Sequence, residues 1–296
     1  MKLASQNSIY TDYVYVLNST CWHQLNIHPR PLVELPITAA KSIDTVLCDI
    51  DDTITTDGCL TASAYNALEQ LHSGGIRVIP ITGRPAGWCD LIARLWPVHA
   101  VVGENGAFYM RYDHRQRKMH HHFWADESSR ARNRRVLDVL AAKIITEVPG
   151  CALASDQPYR VADLAIDFCE DVPALSEAAV NQIVTLFEAA GARAKVSSIH
   201  VNGWFGDYDK LTMTATMTQQ LFGQPLSVMQ HNMLFIGDSA NDAPMFGYFD
   251  HSVGVANVRA QQHRITTLPK YICENEAGKG FAEMVSRLLA LKGVLP

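Results

Sequence analysis

Apolar and polar positions change rhythm twice along the chain. Between residues 41 and 102, short apolar runs alternate with amphipathic stretches. Residues 45–50 read as a strand buried on both faces, and the polar turn at 55–58 leads to a helix capped by Thr61 and closed at Gly74 and Gly75. A strand over 76–82, a helix over 86–96 with Pro85 at its first turn, and a strand over 100–102 follow. Such alternation predicts a parallel sheet covered on both faces.

Beyond residue 102 the pattern changes. Residues 109–124 predict a hairpin turning at 113–116, and 126–148 an amphipathic helix carrying Val136, Leu140 and Ile144. Short strands at 151–155 and 161–168, a helix at 173–190 ending at Gly191, and strands at 193–196 and 198–202 complete an α-β-β-α-β-β unit. Alternation then resumes: a helix over 209–222, a strand over 233–237, a helix over 242–249, strands over 252–256 and 270–273, and a helix over 280–291. The expected fold is α/β, a doubly wound parallel sheet formed by residues 41–125 and 206–296. A small α+β domain, 126–205, is inserted into it. Residues 1–40 hold Tyr10, Tyr13, Tyr15, Trp22 and three prolines without a period. They are expected to form an irregular N-terminal extension that packs on the core or on a second subunit.

Composition narrows the class. Hydrophobic residues make up 48% and the mean hydropathy is −0.02, which points to a globular protein without a bilayer-length apolar run. The first ten residues lack the apolar core of a secretory signal, and the seven cysteines are scattered without a C-x-x-C pair. A cytoplasmic location without a disulfide framework is therefore expected. A net charge of −5 argues against nucleic-acid binding, so an anionic substrate must be drawn by local charge. The basic, His-containing stretch 111–135 falls on a hairpin and a helix face and reads as solvated surface, with phosphate steering as its functional alternative. Met213 and Met217, at helical spacing, read as core. Neither G-x-G-x-x-G nor G-x-x-x-x-G-K-[ST] follows a strand, which excludes Rossmann and P-loop nucleotide binding.

Four polar motifs sit at strand ends or helix starts: Asp49-Ile-Asp-Asp-Thr53, Thr82 in Ile81-Thr-Gly-Arg84, Lys210, and Gly237-Asp-Ser-Ala-Asn-Asp242. Ligands of open α/β sheets bind beyond the carboxyl ends of the strands. In order and placement the motifs resemble those of the haloacid dehalogenase superfamily of phosphotransferases. The bare chemistry agrees, because a carboxylate attacks a phosphate ester only when cations offset the repulsion. The carboxylates of Asp49 and Asp238 and the main-chain carbonyl of Asp51 are hard oxygen ligands of the kind Mg²⁺ prefers.

The resemblance implies Asp49 as nucleophile and Asp51 as the acid/base that haloalkanoate-cleaving relatives lack. It implies Thr82, Gly83, Lys210 and Asn241 around the phosphate, Asn241 also bracing the lysine. Thr53 would support the metal site from behind, and Asp242 would do the same or sit against Lys210. The inserted unit resembles the compact C2B cap of sugar-phosphate phosphatases, with Arg160, Asp163, His200 and Trp204 as candidate sugar contacts. The implied function is Mg²⁺-dependent hydrolysis of a sugar phosphate or similar small metabolite. The partner is a small phosphate ester, with no nucleic acid or membrane, and a homo-oligomer is compatible. An intramolecular phosphomutase and a non-catalytic binding or assembly protein on the same fold are the alternatives.

Overall fold

The computed structural model describes residues 28–294. The chain runs through β1 (Arg30–Pro31), α1 (Ile37–Ser42), β2 (Thr45–Cys48), the small hairpin β3 (Thr55–Thr56) and β4 (Cys59–Leu60), and α2 (Ala62–Ser73). It continues through β5 (Arg77–Pro80), α3 (Ala86–Leu95), β6 (Val101–Gly103), β7 (Phe108–Asp113) and β8 (Lys118–Phe123). The inserted unit comprises α4 (Glu127–Glu147), β9 (Ala152–Leu153), β10 (Leu164–Asp167), α5 (Glu177–Ala189), β11 (Arg193–Val196) and β12 (His200–Trp204). Then come α6 (Lys210–Phe222), α7 (Leu226–Met229), β13 (Met233–Gly237), α8 (Ala243–Tyr248), β14 (His251–Gly254), α9 (Val258–Gln261), β15 (Tyr271–Ile272) and α10 (Ala277–Lys292).

The main sheet has the order β1-β15-β14-β13-β2-β5, with every pairing parallel. Side chains alternate across it, as the pleat requires. Val46, Val78 and Leu234 pack on one side with Leu68, Phe281 and Leu288, and Leu47, Ile79 and Phe235 pack on the other with Met213, Met217 and Phe246. A sheet filled on both faces explains why its strands read as continuous apolar runs. The inserted unit has its own antiparallel sheet, β11-β12-β10-β9, and its own core of Leu137, Leu140 and Ile144 against Ile166, Ile183, Phe187 and Val201.

Several sequence expectations need correction. From Arg30 onward the N-terminal segment belongs to the core: β1 extends the sheet edge beside β15, and Leu32, Leu35 and Ala40 are buried. The expectation for residues 1–27 lies outside the described residues. Val136 faces solvent, and the inner face of α4 runs through Leu137, Leu140, Ala141 and Ile144 instead. The strand expected at 161–168 starts only at Leu164, and that expected at 198–202 starts at His200, because residues 161–163 and 197–199 are loops that reach the core domain. β6 pairs antiparallel with β7 and is joined to the main sheet by the isolated bridge between Ile81 and Val102. No described helix is long and apolar enough to cross a membrane.

The connections to the inserted unit lie side by side. Trp124 donates its amide to the Ala107 carbonyl. Gly206 has φ +130°, and a Cβ there would stand 2.7 Å from the Trp124 ring, so only glycine fits this crossing.

Candidate active site

β2 and β13 are parallel neighbours that end at the same level, so the residues after them emerge together. The Asp49 amide still bonds the Ile236 carbonyl at 2.9 Å, and Asp238 comes directly after Gly237. β5 brings Thr82 to the same crevice. α6 opens there with Lys210, its start fixed by the Asp209 carboxylate accepting the Thr212 amide at 2.7 Å.

Lys210 is buried and donates to Asp49 Oδ1 at 2.7 Å and to Asp242 Oδ1 at 2.6 Å. The other oxygen of Asp242 accepts the Asp238 and Ser239 amides, which closes the turn after β13. Gly237 makes this approach possible, since a Cβ there would stand 2.4 Å from Asp242 Oδ2. Asp49, Asp238 and Asp242 each offer a carboxylate oxygen within 4.8 Å of the others. Burial raises the pKa of Asp49, with Lys210 pulling it back, and raises that of Asp238, with Asp49 and Asp242 adding to the effect. Asp238 Oδ2 is buried without a hydrogen-bond partner. Crowded carboxylates answered by one ammonium, one oxygen left unpaired, fit a divalent cation bound through hard oxygens.

Asp51 turns away from this cluster. Both its oxygens accept from Arg84 Nε, at 2.9 and 3.0 Å. The same guanidinium reaches into the inserted unit, to Glu170 at 2.7 Å and Asp156 at 3.4 Å, and lies 4.3 Å over the Trp88 ring. Arg160 runs the other way. It pairs with Asp156 and Asp163 and donates to the Gly83 carbonyl at 2.8 Å. Glu170 is held down to about 2, first by His200 and then by Arg84 against the effect of burial, and so stays ionised. His200 Nε2 lies 2.8 Å from Glu170 Oε2, without the alignment of a hydrogen bond. Behind these groups, Glu104 is fully buried and accepts the amides of Val161, Ala162 and Asp163, pinning that loop to the core domain. The cavity between Asp49, Asp51, Arg84, Arg160, His200 and Asn241 measures about 10 Å³, room for about one water.

The sequence profile of the haloacid dehalogenase-like hydrolases matches residues 46–130 and 208–285, more than half of the chain. The chain belongs to this family. The matched stretches supply the main sheet except its edge strand β1, carry all four motifs and leave out most of the inserted unit. Solved structures share the fold at low identity. A Thermoplasma acidophilum protein is 16% identical with a TM-score of 0.62, covering 84% of this chain and 99% of its own. A haloacid dehalogenase-like hydrolase from Bacteroides thetaiotaomicron is 15% identical with a TM-score of 0.57, covering 83% and 99%. The sucrose-phosphatase of Synechocystis, solved with sucrose and phosphate, is 15% identical with a TM-score of 0.56, covering 84% and 98%. A search of curated protein sequences finds no match. The inserted unit takes the place and form of the family's C2B cap.

Within the family's motifs, the structure gathers Asp49, Lys210, Asp238 and Asp242 into one cluster. Thr82 is buried with its hydroxyl accepting the Arg84 amide, and Thr53 Oγ1 lies 3.5 Å from Asp238 Oδ1. Asn241 lines the cavity, but its side chain bonds Ser239, and Lys210 is braced by Asp242 instead. Among the cap candidates, Arg160 and His200 line the cavity, whereas Asp163 is buried beneath it against Arg160 and Asn202. Trp204 does not line the cavity: it is buried against Tyr208 in the hydrophobic core. Sequence reasoning misses Asp156 and Glu170 altogether and gives Arg84 no role. An arginine directly after a phosphate-site Thr-Gly is the one available signal.

Proposed function

We propose that this hydrolase is a Mg²⁺-dependent phosphomonoesterase of small metabolites whose leaving group is neutral and rich in hydroxyls, as in a sugar phosphate. The observation that carries the proposal is the Asp49 carboxylate held at 2.7 Å by a buried lysine and sharing its space with Asp238. A carboxylate so placed is aimed and its charge offset, which is what attack on phosphorus requires. Asp49 Oδ forms a bond to phosphorus as the ester P–O bond breaks, and Asp51 gives its proton to the departing oxygen. Asp51 then takes a proton from water, whose oxygen attacks phosphorus and releases Asp49 and inorganic phosphate. Asp49, Asp238 and the main-chain carbonyl of Asp51 would hold Mg²⁺, which when bound neutralises phosphate charge. Lys210, Thr82 and the Gly83 backbone would receive the remaining phosphoryl oxygens.

Charge on the cap side supports a neutral leaving group. Both guanidinium groups at the cavity, Arg84 and Arg160, are already matched by Asp51, Asp156, Asp163 and Glu170. They leave no cation on that wall, among the described residues, for a second anion. Ser197, Ser198 and Asn202 offer neutral hydrogen-bonding groups there, in keeping with the sucrose and phosphate bound by the Synechocystis relative. A cavity of about 10 Å³ also means that the cap must lift to admit substrate.

The test is a screen of sugar phosphates, nucleotides and carboxylate-bearing phosphates with Mg²⁺, scored by inorganic phosphate. Release from sugar phosphates that Asp49→Ala abolishes and Asp51→Asn cuts by about 10²–10⁴ is expected. Isomerised sugar phosphate without inorganic phosphate, or activity surviving Asp49→Ala, would refute it.

A further inference from the structure

The geometry points to Glu170 of the cap as a positioning residue that, through Arg84, sets the orientation of Asp51 and so makes proton transfer depend on cap closure. It rests on the assignment of Asp51 as acid/base above. Arg84 is held from four sides: Asp51 and Trp88 of the core domain, and Glu170 and Asp156 of the cap. Its side chain is only 4% exposed, and the shorter of its two cap contacts, 2.7 Å, is to Glu170. Arg84 Nε in turn is the group that bonds both oxygens of Asp51. With the cap lifted, Arg84 loses both anionic partners on that side and nothing but Trp88 and Asp51 fixes its rotamer. A flexible guanidinium cannot then hold the carboxyl in one direction.

Glu170 is itself built in. Both carboxylate oxygens of the buried Asp167, at the end of β10, accept backbone amides of the next loop: Cys169 and Glu170 on one oxygen, Asp171 on the other. That loop therefore leaves the cap sheet in one fixed conformation, with Glu170 carried to the domain boundary. The order of support is Asp167, Glu170, Arg84, Asp51, with the domain boundary falling between Glu170 and Arg84.

Leaving-group chemistry separates this role from simple cap binding. An alkoxide needs a proton to depart, whereas 4-nitrophenolate leaves without one, so only the first ester senses a misplaced Asp51. The experiment measures single-turnover alcohol release with Mg²⁺ for a sugar phosphate and for 4-nitrophenyl phosphate, in the full-length wild type, Glu170→Gln, Glu170→Ala and Glu170→Asp. The ratio of sugar-phosphate to nitrophenyl-phosphate rates is expected to fall by about tenfold or more in the Ala variant. Gln should fall less, and Asp, which keeps the charge, should recover part of the loss. An unchanged ratio in Glu170→Ala, whether both rates fall together or neither does, overturns the role. Asp51→Asn is run beside them. If it lowers the ratio while Glu170→Ala does not, the relay alone fails; if Asp51→Asn leaves the ratio unchanged, the acid/base assignment and the relay fall together.

Discussion

Lys210→Met is the substitution whose outcome the site fixes most sharply. Methionine keeps the length and apolar stem of lysine and removes the ammonium that bonds Asp49 at 2.7 Å and Asp242 at 2.6 Å. Both carboxylates are buried, Asp242 fully so. Breaking a buried pair by deleting one partner costs about 3–5 kcal/mol, because the other charge is left uncompensated. In metal-free buffer that corresponds to a fall in Tm of about 6–20 °C, at ~2–4 °C per kcal/mol for a chain of this size. A divalent cation binding the native state alone adds about 2.7 kcal/mol at a concentration of 100 Kd. It should also do more for the variant, whose carboxylates have lost their one fixed cation. Differential scanning calorimetry of both proteins with EDTA and with saturating Mg²⁺ measures both effects. A variant as stable as the wild type in EDTA, or a Mg²⁺-induced rise no larger than the wild type's, would refute the charge accounting.

Other perturbations test neighbouring parts. Asp238→Asn removes one of the crowded carboxylates, so it should raise Tm in EDTA while abolishing the Mg²⁺-induced rise, as seen by the same calorimetry; a lower Tm in EDTA would contradict it. Gly237→Ala would push a methyl into Asp242 Oδ2. It should destabilise by about 1–3 kcal/mol in urea titration and weaken Mg²⁺ binding, with unaltered binding counting against the close approach. His99 is held down to about 4 by burial, with Arg111 and Arg77 adding to it, below its ordinary 6.5. The unfolded chain therefore takes up the proton first, and stability should fall as pH drops from about 6.5 to about 4. His99→Phe should flatten that slope in denaturant titrations across the range, and an unchanged slope would exclude His99 as its source.

The catalytic crevice is legible in sequence because its residues are set by local pattern. An apolar run such as residues 45–48 can only be a buried strand, and the residues just past its end must emerge at the sheet's carboxyl edge. Asp49, Thr82, Lys210 and Asp238 all come after strands or open a helix, so order along the chain is enough to bring them together. Trp204 misleads for the opposite reason. The sequence pattern ends its strand at residue 202, whereas the strand runs on to Trp204, and a side chain named as a candidate sugar contact lies in the hydrophobic core, stacked on Tyr208.

The boundary between core domain and cap is silent in sequence, and the physics of its contacts explains the silence. Arg84 and Glu170 are 86 positions apart, and Glu104 meets the amides of residues 161–163 across 57 to 59. Nothing periodic marks such pairs, since an ion pair constrains only where two side chains end. The backbone does leave a trace. Glu104 and Asn105 both have positive φ, in a turn where the sequence shows only Gly-Glu-Asn-Gly. Strain in non-glycine residues persists where surrounding contacts over-determine it, and here those contacts are the Ala86 amide of the core domain and three amides of the cap on the Glu104 carboxylate, with the Glu104 and Asn105 amides bonded to Arg84 and Thr82. The turn that looks like a plain connection is thus where the cap is pinned, and it lies directly against Arg84, whose carbonyl accepts the Glu104 amide at 3.1 Å.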